Sequence, residues 1–358
     1  MADRVTLQDI ADELGVSRNT VSKAINNTGI LAEATRERVL RKAIEMGYKQ
    51  FSYMSISSPH EPEATFIPEA VTGEIALFTS NFIGSSHFAS SMLDRFQSEL
   101  FSLGYSFAMY RLQENEAKDL RLPASFNRER SAGIICVEMF DRKYCSMLCE
   151  LGIPVLFVDS PVYCLDTPLK ADHLYMDNQY CIHSFVREMV RRGKKKIGFI
   201  GETMYCQSFF ERFVNFKNAM YLSGLPCPEE YCITGNKEGA KSPGYKIYRE
   251  YLAEAIRKLG NLPDVFICAN DFIAIDTLQV LKNMGISVPQ DVYLCGFDGS
   301  PESEIVSPSL TTVKIHSQVM GSCAVHLLIS RIKNPSLNFR TIYTETSLIY
   351  RESTEDCP

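Results

Sequence analysis

The sequence predicts an α/β body of two similar parallel-sheet lobes carrying a small all-α helix-turn-helix head. Three observations predict it. Residues 1–49 show helical periodicity alone, short apolar runs alternate with amphipathic stretches from Glu74 onward, and that alternation occurs twice. The 358-residue length exceeds one ordinary core and suits two or three units of about 100–150 residues each.

In the head, Thr6-Leu-Gln-Asp9 reads as a helix start, with a hydroxyl free to cap and an acid in the first turn. Leu7, Ile10, Ala11 and Leu14 then recur at helical spacing. Gly15 breaks the run, because glycine takes the positive-φ conformation that lets a chain reverse after a helix. Ser17 is placed to cap a second helix, Arg18 to Ile25, with Val21, Ala24 and Ile25 inward. A third spans Glu33 to Met46 and stops at Gly47, with Val39, Leu40, Ala43 and Ile44 inward. The second helix of such a bundle enters the DNA major groove by its N-terminal end. Arg18, Asn19 and Ser22 are the side chains presented there; arginine donates two hydrogen bonds to guanine and asparagine pairs both ways with adenine. Thr6, Thr20, Lys23 and Asn26 fall near the phosphates, where contacts fix register. Read alone, Arg18-Asn19 fits a solvated first turn equally well.

The assembled string carries more information. Val5-Thr-Leu-Gln-Asp-Ile-Ala-Asp-Glu-Leu-Gly-Val-Ser-Arg-Asn-Thr-Val-Ser-Lys-Ala-Ile-Asn26, with Thr35-Arg-Glu-Arg-Val39 and Met46-Gly-Tyr48, closely resembles the head of the lac repressor family of bacterial transcription regulators. The resemblance implies that Arg18 and Asn19 occupy the family's main operator-reading positions. It also implies a hinge helix after the head, whose leucine wedges into the minor groove. Residues 50–72 depart from that pattern: Met54 and Ser57 stand where an alanine and the leucine would be. Met54 or Ile56 can substitute as the wedge, since apolar side chains of several kinds unstack a base step. From Ser57 to Ala70 the run is rich in Ser, Pro and Glu and reads as a flexible tether.

In the body, Ile75–Phe78, Ser106–Tyr110, Gly133–Val137 and Pro154–Val158 read as buried strands, with Phe88, Met92, Phe96 and Leu100 forming the stripe of the first helix between them. Ile197–Ile200, Cys232–Thr234, Val265–Cys268 and Val292–Cys295 repeat the series. Repeated β-α units imply parallel sheets covered on both faces. Ligands of open α/β sheets sit beyond the carboxyl ends of the strands. The residues found there are Ser80, Asp159, Asn270-Asp271 and Asp298, with Arg212 early in a following helix and Phe88 as a flat apolar face. Carboxylates, an amide and a guanidinium converging on a cleft suit a polyhydroxylated or similarly polar molecule. Each of these residues fits a helix cap or turn as well as a ligand contact.

The resemblance continues through the body, in Met176-Asp-Asn178, Lys196-Ile-Gly-Phe-Ile-Gly201, Ser208 with Glu211-Arg212, Ala269-Asn-Asp271, Gly296-Phe-Asp298, Pro308-Ser-Leu-Thr-Thr-Val313 and Arg351-Glu-Ser-Thr354. It implies that Asp159, Arg212, Asn270 and Asp298 lead the effector contacts and that the body is similar to periplasmic sugar receptors; Ser80 and Phe88 join the expected effector site by their positions and Ser208 by its matching motif. Gly299, Asp276 and His87 depart from the family's pattern. The organisation expected is a head over 1–49, a linker over 50–72, one lobe over 73–160 plus about 299–326, and the other over 161–298 plus about 327–358. The chain would cross between lobes near 160–172, 297–300 and 325–330. The resemblance further implies a repressor or activator binding double-stranded operator DNA as a homodimer, since one short head reads a half-site, with a sugar or sugar derivative as effector. A sugar-binding protein without regulatory coupling is the alternative.

Composition excludes other classes. The net charge is −6, divided as +1 over residues 1–50 and −7 over the remainder, which is compatible with DNA binding when the cations share a face. No apolar run approaches the ~18 residues of a membrane span, and the start has no apolar signal core, so a cytoplasmic location is expected. The twelve cysteines include no Cys-x-x-Cys pair, and Cys136, Cys268 and Cys295 lie in apolar strand-like runs, so core thiols are expected, with no metal and no cofactor. No Gly-rich phosphate loop, His-Glu-x-x-His or nucleophile elbow is present, and no enzyme is expected.

Overall fold

The computed structural model describes residues 5–25, 32–46, 73–80, 87–162, 167–226, 229–235 and 246–355. The chain divides into two compact units, the head and the body. Asn26, the stop at Gly47, and the linker with Met54, Ile56 and Ser57 lie outside the described residues.

The head is three helices, α1 (Leu7–Leu14), α2 (Arg18–Ile25) and α3 (Glu33–Glu45). Thr6 caps α1 in a reciprocal pair: its hydroxyl accepts the Asp9 amide at 3.3 Å while its own amide donates to the Asp9 carboxylate at 2.7 Å. Gly15 ends the helix at φ 64°, the left-handed conformation that the turn requires. The Ser17 hydroxyl accepts the Thr20 amide at 3.0 Å and so caps α2. Ile10, Ala11, Val21, Ala24, Val39 and Ala43 form the buried core, with Leu7, Leu14 and Ile25 half-buried around it.

The body begins with β1 (Gly73–Thr79), α4 (His87–Ser102), β2 (Tyr105–Arg111), α5 (Glu114–Asp119), β3 (Ser131–Val137), α6 (Arg142–Cys149), β4 (Val155–Val158) and β5 (Asp172–Met176). It continues with α7 (Tyr180–Arg191), β6 (Ile197–Ile200), α8 (Gln207–Leu222), β7 (Cys232–Ile233), α9 (Lys246–Lys258), β8 (Val265–Cys268), α10 (Asp271–Asn283) and β9 (Tyr293–Asp298). It closes with α11 (Pro301–Ile305), β10 (Thr311–Ile315), α12 (Ser317–Lys333), β11 (Thr341–Thr344) and β12 (Thr346–Ile349). Two six-stranded sheets result, in the orders β11-β5-β4-β3-β1-β2 and β12-β10-β9-β8-β6-β7. Every pairing is parallel except β10 with β12. Central strands are covered on both faces, which is why Ile134, Ile135, Cys136 and Val137 run as four consecutive buried residues. On α4 the stripe Met92, Phe96 and Leu100 is fully buried. Cys136, Cys268 and Cys295 are buried strand thiols, and burial pushes each above its ordinary range.

Sheet membership corrects the expected lobe boundaries. The chain passes between lobes after β5, after β10 and after β11, later each time than the sequence suggested. β5 and β11 belong to the first sheet and β10 and β12 to the second, so these four strands, which no apolar run announces, carry the chain to its crossings. The crossings are laced together: the Asp177 amide donates to the Thr344 carbonyl at 2.7 Å, the Thr346 hydroxyl to the Asp177 carbonyl at 3.0 Å, and the His316 ring meets the Ser347 hydroxyl at 2.8 Å. Inside the first lobe, fully buried Asp172 takes Arg331 Nε and Nη2 at 3.0 and 2.8 Å and Arg340 Nη2 at 2.9 Å, tying α12 and the approach to β11 onto β5. None of the described helices is long and apolar enough to cross a membrane.

Candidate functional sites

In the head, Arg18 and Asn19 are exposed on the first turn of α2, and Thr20, Ser22 and Lys23 are half-exposed on the same helix. That is the presentation base reading requires, side chains projecting from a helix N-terminus whose backbone is already capped. Thr6 is exposed, but its hydroxyl and amide are both engaged by Asp9, so its first role is the cap. Those two bonds hold the Asp9 carboxyl below its ordinary range. Glu13 is paired with Lys42 at 3.1 Å, which offsets one acid of α1.

Between the lobes, Arg212 of α8 is the organising side chain. It is 2 % exposed, its Nε donates to Asn178 Oδ1 at 2.9 Å, and its Nη1 donates to the Ala269 carbonyl at 2.6 Å and to Asp298 Oδ1 at 3.3 Å. The guanidinium lies 3.5 Å from the centroid of the Phe297 ring, a stacking that suits its planar, weakly hydrated charge. Asn178 in turn donates to Glu211 Oε2 at 2.9 Å.

Asp159, at the end of β4, joins the lobes. Its carboxylate accepts the Ser160 amide at 2.8 Å and, from the other lobe, the Ser208 amide at 3.1 Å. Cys206, at the cap position of α8, makes no side-chain cap bond, so a carboxylate from the opposite lobe serves the positive end of that helix. The Gln207 amide reinforces the junction by donating to the Ser160 carbonyl at 2.8 Å, and the Phe140 and Tyr205 rings meet edge-on at 5.1 Å. Glu138, Asp159 and Asp298, each just after or at the end of a strand, hold φ values of 53°, 59° and 112°, left-handed backbone that side chains other than glycine rarely adopt and that clusters at functional sites.

Electrostatically the junction is rich in acid. Burial pushes Asp298 up to about 7 against the pull of Arg212, with the charges of Asp271 and Glu138 adding to the rise. Burial likewise pushes Asp271 up to about 6, although its carboxylate accepts the Thr312 hydroxyl at 2.6 Å and the Ser300 amide at 2.7 Å. Asp159 is raised by burial too, opposed by its amide bonds and by Arg212.

A cavity of about 480 Å³ opens beside this cluster. Phe88, Ser90, Ser91 and Asp94 of α4 line it from the first lobe, and Phe272, Asp298, Gly299, Ser300 and Lys314 from the second. It offers two apolar rings, two carboxyls, an ammonium and several hydroxyls, enough to grip a small polar molecule by its faces and edges. Among the described residues no group of three or more His, Cys, Asp or Glu side chains is arranged to hold a metal ion.

Of the residues singled out from sequence, Phe88 and Asp298 line the cavity. Arg212, Asp159 and Ser208 form the adjoining junction, where the Ser208 hydroxyl turns to the Met176 sulfur at 3.2 Å. Asn270 caps α10, accepting the Ile273 amide at 3.0 Å, and the Ser80 hydroxyl donates to the Met139 sulfur at 3.1 Å. Sequence reasoning missed Phe272, Asp94 and Lys314. Phe272 directly follows Asn270-Asp271 and was within reach of the strand-end argument; Lys314 was not, because it arrives only through the register that sets it beside Asp298.

Comparison with known proteins agrees with this anatomy. Residues 6–50 match a family described as bacterial regulatory proteins, lacI family, and residues 186–354 match the periplasmic binding protein-like domain. The chain is 29% identical over 358 residues to the HTH-type transcriptional regulator GalR of Lacticaseibacillus casei, covering 97% of this chain and 99% of that one. It is 25% identical to the HTH-type transcriptional repressor PurR of Klebsiella pneumoniae (strain 342), covering 99% and 98%. Among solved structures it is similar to the transcriptional regulator CelR–cellobiose complex, with a TM-score of 0.67 and 24% identity over 98% of this chain and 100% of that one. The lac repressor dimer bound to operator and the anti-inducer ONPF gives a TM-score of 0.63 at 19% identity over 98% and 99%.

Proposed function

The chain belongs to the lacI family of bacterial regulatory proteins, and from that premise we propose that it is a repressor whose binding to a specific operator is controlled by a small polar effector, a sugar or sugar derivative, held between its lobes. It is a transcription regulator with an effector-binding domain, not an enzyme. One observation carries the finer reading: a capped helix presenting Arg18 and Asn19 shares a chain with an interlobe cavity where Phe88 and Phe272 offer apolar rings and Asp298, Asp94 and Lys314 offer polar edges. Apolar rings pack on the C–H faces of a pyranose while carboxyls accept from its hydroxyls. The working form is a cytoplasmic homodimer, each head reading one half of a palindromic site.

Selection of bound DNA from a random pool, repeated in the presence of a panel of sugars and sugar derivatives, tests this reading. A palindromic consensus whose occupancy shifts with one compound is the expected result. Absence of any consensus sinks the operator assignment; a consensus that no compound shifts, together with tight sugar binding, identifies a sugar-binding protein without regulatory coupling.

A further inference from the structure

We propose that Glu211 is the centre of a latch between the lobes, and that Tyr343 and Asn178 are positioning residues that hold Arg212 at the junction beside the cavity through it. This rests on the reading of Arg212 as part of the effector site. Tyr343 stands on β11 of the first lobe, one residue before the end of that strand, and Glu211 on α8 of the second. The Tyr343 hydroxyl donates to Glu211 Oε1 at 2.9 Å, and Gln207 Nε2 donates to the same oxygen at 3.0 Å. The other oxygen, Oε2, accepts Asn178 Nδ2 at 2.9 Å, and Asn178 Oδ1 accepts Arg212 Nε at 2.9 Å. One carboxylate is thus divided: one oxygen faces across the lobes, and the other feeds a chain of hydrogen bonds that ends at Arg212 and Asp298.

Both flanking partners stand at crossings. Asn178 lies in the first crossing, between β5 and α7, and Tyr343 leads into the third, between β11 and β12. The Tyr343–Glu211 bond thus spans the lobes next to these crossings, alongside the Asp159–Ser208 and Ser160–Gln207 bonds. The two ends of the chain differ in exposure: Tyr343 is 48 % exposed and Arg212 2 %. The phenol bond can open at the solvent rim without uncovering core, which is where a reversible fastener belongs. The Tyr343 ring also rests on Tyr175 at 5.3 Å, whose hydroxyl bonds Ser160 at 2.7 Å, and Ser160 receives the Gln207 amide. Removing the hydroxyl alone keeps that ring contact.

Hydrogen–deuterium exchange on the full-length protein tests the latch, comparing the wild type with Tyr343→Phe and Glu211→Gln. The expected result is faster exchange, by about tenfold, of the α8 amides from Gln207 to Arg212 in Tyr343→Phe, with the thermal midpoint unchanged. Glu211→Gln reproduces this and adds faster exchange around Asn178, whose Nδ2 loses its carboxylate acceptor. Unchanged exchange in α8 overturns the latch, as does a uniform rise across both lobes with a lowered midpoint, which marks ordinary structural weakening. The measurement needs neither DNA nor effector, so its failure leaves the regulator reading standing, and a failed DNA selection leaves the latch standing.

Discussion

Arg212 and Asp298 meet at 3.3 Å beside the Phe297 ring, and the pair is an unequal one: a guanidinium with three hydrogen bonds faces a carboxyl that burial pushes up to about 7. Between the ordinary carboxylate range and that value the folded chain holds a proton at Asp298 that the unfolded chain has already released. The resulting stability is complete below the ordinary carboxylate range and is lost as pH rises toward 7. Buried His173, depressed to about 4, acts in the opposite direction over the same window, so the difference between wild type and Asp298→Asn is the quantity to follow. Urea unfolding at several pH values should show the wild type losing about 1–3 kcal/mol relative to Asp298→Asn between mildly acidic and slightly alkaline solution. A pH-independent difference would sink the assignment.

Asp172 stabilises the first lobe only as part of a set. Its carboxylate, held below the ordinary range by Arg331 and Arg340 despite its burial, accepts two bonds from Arg331 and two from Arg340. Asp172→Ala leaves Arg331, itself 3 % exposed, without its counter-ion, and should cost about 3–5 kcal/mol in chemical denaturation. Loss of less than the ~1 kcal/mol typical of a surface pair would mean that water replaces the carboxylate.

In the head, Arg18→Ala should relax base preference at one position in each half-site. Lys23→Ala should instead weaken binding to all sequences and reduce the slope of affinity against salt by about one. Competitive binding at two or more salt concentrations separates these, and the reverse pattern would mean that the two side chains exchange roles.

Gly321 lets α12 approach α4. A Cβ there would stand 2.6 Å from the Met92 carbonyl oxygen and 2.8 Å from Arg95 Cβ. Gly321→Ala should lose about 1–3 kcal/mol through overpacking. Gly285→Ala meets nothing within 4 Å but imposes φ 75° on a side chain, and should lose about 1–2 kcal/mol by backbone strain alone. Equal heat capacities with unequal melting points are the expected calorimetric outcome; a silent Gly321→Ala would show that the helices slide apart freely.

The three helices of the head were legible because their signals are local, a cap, a glycine turn and apolar spacing each acting within a few positions, although Leu40, expected inward, is only half-buried and outside the core. β1, β3, β6 and β8 were legible for the same reason, being short runs of buried apolar residues. β5 (Asp-His-Leu-Tyr-Met) and β11 (Thr-Ile-Tyr-Thr) were not, since each mixes polar residues that are satisfied by distant partners. Asp172 meets Arg331 across 159 positions, and Asp159 caps a helix 49 positions away, distances no local pattern encodes. Asp159 was singled out as a strand-end acid facing a ligand, and the structure shows it joining the lobes. The cavity lining by Lys314 required sheet register, which belongs to the assembled fold.

The late crossings also govern when the protein can be finished. β11 borders β5 and β12 borders β10, so neither sheet has its last edge until residues 341–349 exist. A chain growing from the ribosome therefore carries two unfinished lobes at once, with β5 and β10 left as edges that the finished fold covers. Translation halted shortly before Thr341 would release a molecule with two such edges, both open to pairing with other chains. Completion of both sheets thus waits on residues 341–349, the same segment that brings Tyr343 to Glu211.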